Sequence, residues 1–178
     1  TGWMVFLAMV NPAAATAVSR EGKALWQALS IPVPAADQLR GKLALGYLIV
    51  AAGMVPTALT AMALGIAPGL SLMALAVGLC AGLPMTTLSL LIDATRPKLD
   101  WNTPQEAIKQ NVNAVLAMLA DLAIAAVLAG AAIGLYGLDM APLGLTCVLC
   151  ALSLLLGLVC YRWLMARAEG CYQRLMQG

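Results

Sequence analysis

The sequence predicts an all-α, polytopic transmembrane bundle of about five spans with a short amphipathic helix on the cytoplasmic side, and three observations carry that reading. Apolar residues make up 62% of the chain and charged residues only 10%, against roughly 25% charged in a typical soluble domain. A water-exposed fold cannot hide that much apolar surface. The apolar residues also fall in runs near or above the ~18–20 residues that cross a bilayer as a helix, and these runs contain no Lys or Arg. Finally, alternating the runs across a bilayer puts Arg20, Lys23, Arg40, Lys42, Arg96, Lys98, Lys109, Arg162, Arg167 and Arg174 on one side and leaves the other with Asp139 and no cation. The excess of cations marks the cytoplasmic side.

The first run, 1–18, is short for a full span and contains Asn11-Pro12, which predicts the end of a truncated or kinked helix. Thr1 enters it with no charged leader before it and no A-x-A-like site after it, so the expectation is a cut point within a longer protein. Segment 19–42 returns the chain through polar residues 19–23, a short helix at 24–29, a stop at Ile31-Pro32-Val33-Pro34, and a helix start from Asp37. The second span, 43–66, includes Pro56 and ends at the tight turn Ala67-Pro68-Gly69. In the third, 70–92, Ala74, Gly78 and Gly82 recur at i, i+4, i+8, a small-residue stripe for close helix approach, and Pro84 predicts a bend.

Segment 93–111 is a long polar loop whose second half reads as a helix start, with Thr103 as N-cap, Pro104 at N1 and Glu106 closing a capping box. The fourth span, 112–135, extends that helix. Tyr136 to Pro142 turns the chain on the far side, 143–161 is the fifth span, and 162–178 is a basic tail. All of residues 1–178 form one transmembrane unit, and the far-side loops are too short to hold a folded domain.

Composition removes several functions. The chain has no His, so histidine-based catalysis is excluded. Cys80, Cys147, Cys150, Cys160 and Cys171 do not form a disulfide framework, and the C-x-x-C pair at 147 and 150 has no second pair to complete a zinc set. A net charge of +2 with no aromatic-interleaved basic stripe gives no nucleic-acid partner.

Function therefore sits in the two cytoplasmic segments, since a connection with no duty could be far shorter. In the first, charges at 20, 21 and 23 precede Leu25, Trp26 and Leu29, a pattern suited either to docking in a partner's groove or to lying on the membrane surface. In the second, Asp93 with Arg96 and Asp100 with Lys98 are candidate local ion pairs, and Asp93 with Asp100 could serve a lipid-modifying enzyme as metal-binding carboxylates. Their separation, with no further acidic pair, matches that chemistry poorly.

The string Ser19-Arg-Glu-Gly-Lys23, followed by Leu25-Trp26 and Leu29-Ser-Ile-Pro32-Val, and the longer string from Asp93 through Arg96-Pro97-Lys98-Leu-Asp100-Trp101-Asn-Thr-Pro104-Gln105-Glu106-Ala-Ile-Lys109-Gln110-Asn111 resemble the carboxy-terminal half of bacterial ABC-2 type permeases. The resemblance spans essentially the whole chain. It implies the membrane subunit of an ABC exporter in the bacterial inner membrane, working with a cytoplasmic ATPase that holds ATP and magnesium, and with a second permease half or another copy of itself. It also implies that Glu21, Gly22, Lys23 and Trp26 belong to the segment that couples the spans to the ATPase. Independently, the chain has no G-x-x-x-x-G-K-[ST] phosphate loop, so it cannot bind ATP by that route. With that, the resemblance implies a transport subunit rather than an enzyme, with no cofactor of its own and its ATPase on another polypeptide or a deleted domain.

One ionisable residue, Asp121, lies mid-span, where a charged carboxylate costs roughly 2.5–3.5 kcal/mol on insertion scales. With Asn113, Ala117 and Ala125 it makes a polar and small stripe at i+4 spacing. It reads as the lining of a cavity or pathway, including that of a proton-coupled carrier, or as an interhelical hydrogen bond.

Overall fold

A computed structural model of the chain describes residues 2–9, 11–30, 32–109 and 111–177. Gln110 and the side chains of Lys23, Leu29, Pro104 and Lys109, all singled out above, lie outside the described residues. Among those described there is no strand. The order is α1 (Gly2–Met9), α2 (Pro12–Ala15), a 3-10 segment (Ser19–Ala24), α3 (Leu25–Ser30), α4 (Ala35–Ala63), α5 (Pro68–Thr95), α6 (Pro104–Lys109), α7 (Val112–Tyr136) and α8 (Pro142–Gln177). Five helical stretches are long and apolar enough to cross a membrane, at Gly2–Gly22, Ala35–Ala63, Pro68–Thr95, Gln105–Tyr136 and Pro142–Leu175. The chain is an all-α, multi-pass membrane protein.

The first stretch is broken at the Asn11-Pro12 pair. Pro12 has no N–H to give and holds Asn11 out of the helical region, at φ −117° and ψ 86°. Asn11 repairs part of the damage. Its Oδ1 accepts from Ala13 N at 3.2 Å, and its Nδ2 donates to Gly46 O of α4 at 3.1 Å. Non-helical backbone inside an apolar span is tolerated where protein surrounds it, and here Asn11, Ala14, Ala15, Thr16 and Val18 are all buried.

Helix α5 is the centre of the bundle, in contact with α1, α2, α4, α7 and α8. The small-residue stripe explains how. A Cβ built on Gly78 would lie 2.7 Å from Met4 Cβ, and one on Gly82 would lie 3.1 Å from a Val50 methyl, so α1 and α4 approach α5 at these glycines. Gly78→Val is expected to destabilise the bundle by about 1–3 kcal/mol through overpacking, read as a lowered thermal midpoint in detergent. Gly53→Val on α4, where an added Cβ meets nothing within 4 Å, carries the same helix-propensity change and should move the midpoint much less.

The outer helices turn apolar side chains away from the protein: Leu45, Leu48, Val55 and Leu59 on α4, and Val115, Leu119 and Leu122 on α7 are exposed. Lipid is the solvent that suits such faces. Pro56 and Pro84 lie inside continuous helices. Helix α8 has 36 residues, about 54 Å at 1.5 Å per residue, well beyond a hydrocarbon core of ~30 Å. The basic tail is thus the continuation of α8. Its Leu164, Ala168, Cys171 and Tyr172 join Val18, Leu25, Leu39, Leu90, Leu91 and Ala94 in one buried cluster. Arg40 Nε donates to Tyr161 Oη at 3.0 Å, bringing the starts of α4 and of this extension to the same basic end.

One local expectation is corrected. The helix at 104 and the fourth span are separate elements, because Asn111 is extended, at φ −100° and ψ 114°, and caps α7 by accepting from Asn113 N at 2.9 Å. The expected capping contact is present: the Glu106 carboxylate accepts from the backbone N–H and the hydroxyl of Thr103, and its Oε2 also accepts from Asn102 N at 3.0 Å.

Candidate functional site

At the basic end, the two strings interlock around Asp93. This residue is the last carboxylate of α5, is fully buried, and takes donors from two other parts of the chain. Its Oδ2 accepts from Val18 N at 2.7 Å and Ser19 N at 3.0 Å, and its Oδ1 accepts from Ser19 Oγ and from Asn113 Nδ2, the latter at 3.0 Å. The expected pairing of Asp93 with Arg96 is not what forms. Arg96 is exposed, and its carbonyl oxygen accepts from Asn113 Nδ2 at 2.6 Å. A buried carboxylate is tolerable when hydrogen bonds replace its lost hydration, and four donors do that here.

Ser19 is the complementary half of the joint. Its hydroxyl gives its proton to Asp93 and accepts from Lys98 N at 2.9 Å, while its carbonyl oxygen accepts from Trp101 Nε1 at 2.9 Å. The Trp101 ring then lies over Gly22. A Cβ on Gly22 would fall 2.5 Å from ring carbons of Trp101, and Gly22 has φ +48°. Only a residue without a side chain satisfies both conditions at low cost.

The remaining family-like residues distribute as follows. Glu21 pairs with Lys42 of α4, both largely buried, and its second oxygen is enclosed without a hydrogen-bond partner among the described residues. Asn111 lies buried beside Asn113, its Nδ2 donating to Ala107 O at 3.1 Å. Pro97 and Lys98 are half-buried in the loop, and Asp100 and Gln105 are exposed. Trp26 has 62% of its surface exposed, next to Leu25, which is buried in the basic-end cluster. The short helix α3 is therefore anchored by Leu25 and presents Trp26 outward. Asp93 and Asp100 do not form an acidic pair, and no cluster of three metal-ligating side chains occurs among the described residues.

The intramembrane carboxylate sits apart from this joint, further along α7. Asn113, Ala117 and Asp121 are buried on one face, as their spacing predicts. Asp121 Oδ2 accepts from Ser89 Oγ of α5 at 3.1 Å, while its Oδ1 has no partner among the described residues. Asp121 also borders a cavity of about 190 Å³ with Asn11, Pro12, Ser89 and Ala117. Both readings of the stripe, interhelical bond and cavity lining, describe part of what is present.

Sequence reasoning missed Ser19 as a partner of Asp93 and Ser89 as a partner of Asp121. Both pairs are long-range, and a serine in either place carries no periodic signal. No known family, curated protein or solved structure matches the chain.

Proposed function

We propose that the chain is the membrane-spanning permease subunit of an ATP-binding-cassette transporter, an exporter of the bacterial inner membrane, driven by a cytoplasmic ATPase that binds ATP and magnesium. One observation carries this reading. The two strings that resemble ABC-2 permeases, 74 residues apart at Ser19 and Asp93, meet in a single buried joint at the basic end, with the exposed Trp26 presented beside it. A rigid joint between the first span, α5 and α7 is what a subunit needs if a push on a surface helix is to reach the spans. An exposed Trp on a short, anchored helix is also the kind of residue that fills a partner's groove. A second permease half or another copy of this chain completes the pathway.

The metal-assisted lipid enzyme finds less support, since both oxygens of Asp93 are occupied and Asp100 faces outward. A proton-coupled carrier draws on the free oxygen of Asp121; transport driven by a pH gradient in the absence of ATP would favour it.

Trp26→Glu tests the coupling assignment. Trp26 is exposed, so the variant should keep its thermal midpoint within about 0.5 kcal/mol of stability. An ATPase subunit that co-purifies with the wild-type chain should be lost from the variant. Undiminished co-purification and coupled ATPase turnover in Trp26→Glu would end the proposal that α3 is the docking element.

A further inference from the structure

The free oxygen of Asp121 belongs to a longer feature. The small cavity beside it shares Met9 with a second cavity of about 450 Å³, bordered by Val5 and Phe6 of α1, Val77 of α5, Ala125 and Ala129 of α7, and Leu149 of α8. Both lie between the broken first span and α7, so together they read as the two ends of one groove that a ligand could span. Ala117 and Asp121 border its narrow end, and Ala125, Ala129 and Ala132 border its wide end, so the small stripe of α7 runs the length of it. From Asp121 to Ala132 the groove follows about 16 Å of helix at 1.5 Å per residue, roughly the reach of an extended alkyl chain of a dozen carbons.

The chemistry of the two ends differs. The wide end is lined by apolar side chains and the glycine backbone of Gly2. The narrow end holds the Ser89 hydroxyl and a carboxylate that is 2% exposed with one oxygen unpartnered among the described residues. Among the described residues, no Lys or Arg borders either cavity. A carboxylate within the membrane calls for a cation, a proton or a hydrogen-bond donor, and among the described residues one serine hydroxyl is supplied. The missing positive charge points to the ligand.

We propose that this groove binds a cationic amphiphile, a single-chain primary ammonium whose head sits at Asp121 and Ser89 and whose apolar tail fills the cavity between α1, α5, α7 and α8. An ammonium has three donors, enough for the free oxygen of Asp121 and a neighbouring acceptor. A zwitterionic phospholipid is a poor occupant, because its phosphate would meet no cation in the groove. As the substrate class of the transporter the inference rests on the permease reading; as a binding site it does not.

The test uses the full chain in nanodiscs of phosphatidylcholine, titrated separately with dodecylamine, dodecanol and dodecyl sulfate, with bound ligand counted by native mass spectrometry. Dodecylamine should bind saturably at one per chain. Asp121→Asn, nearly isosteric, should weaken it by about tenfold or more, the loss expected for one charge-assisted hydrogen bond, while leaving dodecanol binding unchanged. Ala129→Leu should weaken dodecylamine and dodecanol alike by filling the wide end. Adding phosphatidylethanolamine to the nanodiscs should leave dodecylamine bound.

Equal affinity of wild type and Asp121→Asn for dodecylamine overturns the proposal and leaves a protonated Asp121 as the explanation of the free oxygen. Dodecyl sulfate binding to the wild type as tightly as dodecylamine overturns it without reference to any variant. Displacement of dodecylamine by phosphatidylethanolamine assigns the groove to lipid. None of these readouts involves an ATPase, so a failure here is separable from loss of co-purification at Trp26.

Discussion

Asp93→Ala is expected to lower stability by about 3–6 kcal/mol. The carboxylate is fully buried and accepts four hydrogen bonds. Removing it leaves the N–H groups of Val18 and Ser19 enclosed without an acceptor, and each stranded donor costs about 1–3 kcal/mol. The Ser19 hydroxyl and the Asn113 amide lose an acceptor too, although Asn113 keeps the Arg96 carbonyl. Against a typical total of 5–15 kcal/mol, such a loss separates the basic end of the first span from α5 and α7. The expected readouts are a broadened, early-eluting peak in gel filtration and rapid proteolysis between residues 19 and 24. Asp93→Asn keeps one carbonyl oxygen for the two backbone donors but turns an NH2 toward the Asn113 amide, so it should fall between wild type and Asp93→Ala. A double-mutant cycle with Ser19→Ala should show strong coupling. If Asp93→Ala eluted and resisted protease as the wild type does, the joint would not hold the basic end together.

The same joint shows where the sequence was legible and where it was not. The five spans could be read because run length and the absence of Lys and Arg are local properties, measured against a bilayer of fixed thickness. The break at Asn11-Pro12 could be read because proline removes an N–H wherever it stands. That a helix comes close to α5 at Gly78 and Gly82 could be read, since small residues at i+4 spacing state where a neighbour approaches, though not that the neighbours are α1 and α4. Partner choice was different. Asp93 has Arg96 three residues away and a cation is its natural local partner, yet it folds onto Ser19 and Asn113. Four neutral donors in fixed positions hydrate a buried carboxylate without requiring a second charge to be buried with it. Likewise the i+4 stripe on α7 located Asp121 on the inner face, but neither the serine that meets it nor the cavity beside it has a periodic signature.

Gly22 and Trp101 provide the second large effect, and they also separate a structural joint from a mere contact. Gly22→Val should cost about 2–6 kcal/mol, combining roughly 1–3 for a β-branched residue held at positive φ with a further 1–3 for the collision with the Trp101 ring. The two contributions can be taken apart. Trp101→Ala removes the ring and the hydrogen bond from its Nε1 to Ser19 O, opening space over residue 22. In that background Gly22→Val loses its steric penalty and keeps only the backbone strain. The double variant should therefore be more stable than the sum of the two single losses by about 1–3 kcal/mol, read as thermal midpoints in detergent. Strict additivity would mean that the ring does not rest on Gly22 in the folded protein. A positive coupling of that size also fixes the path by which the first string feels the second, because a ring clamped between Ser19 and Gly22 cannot shift unless the 3-10 segment and the 93–111 loop move together. If α3 is the docking element proposed above, a push at Trp26, four residues beyond Gly22 on the same short stretch of chain, would reach α5 and α7 through this clamp.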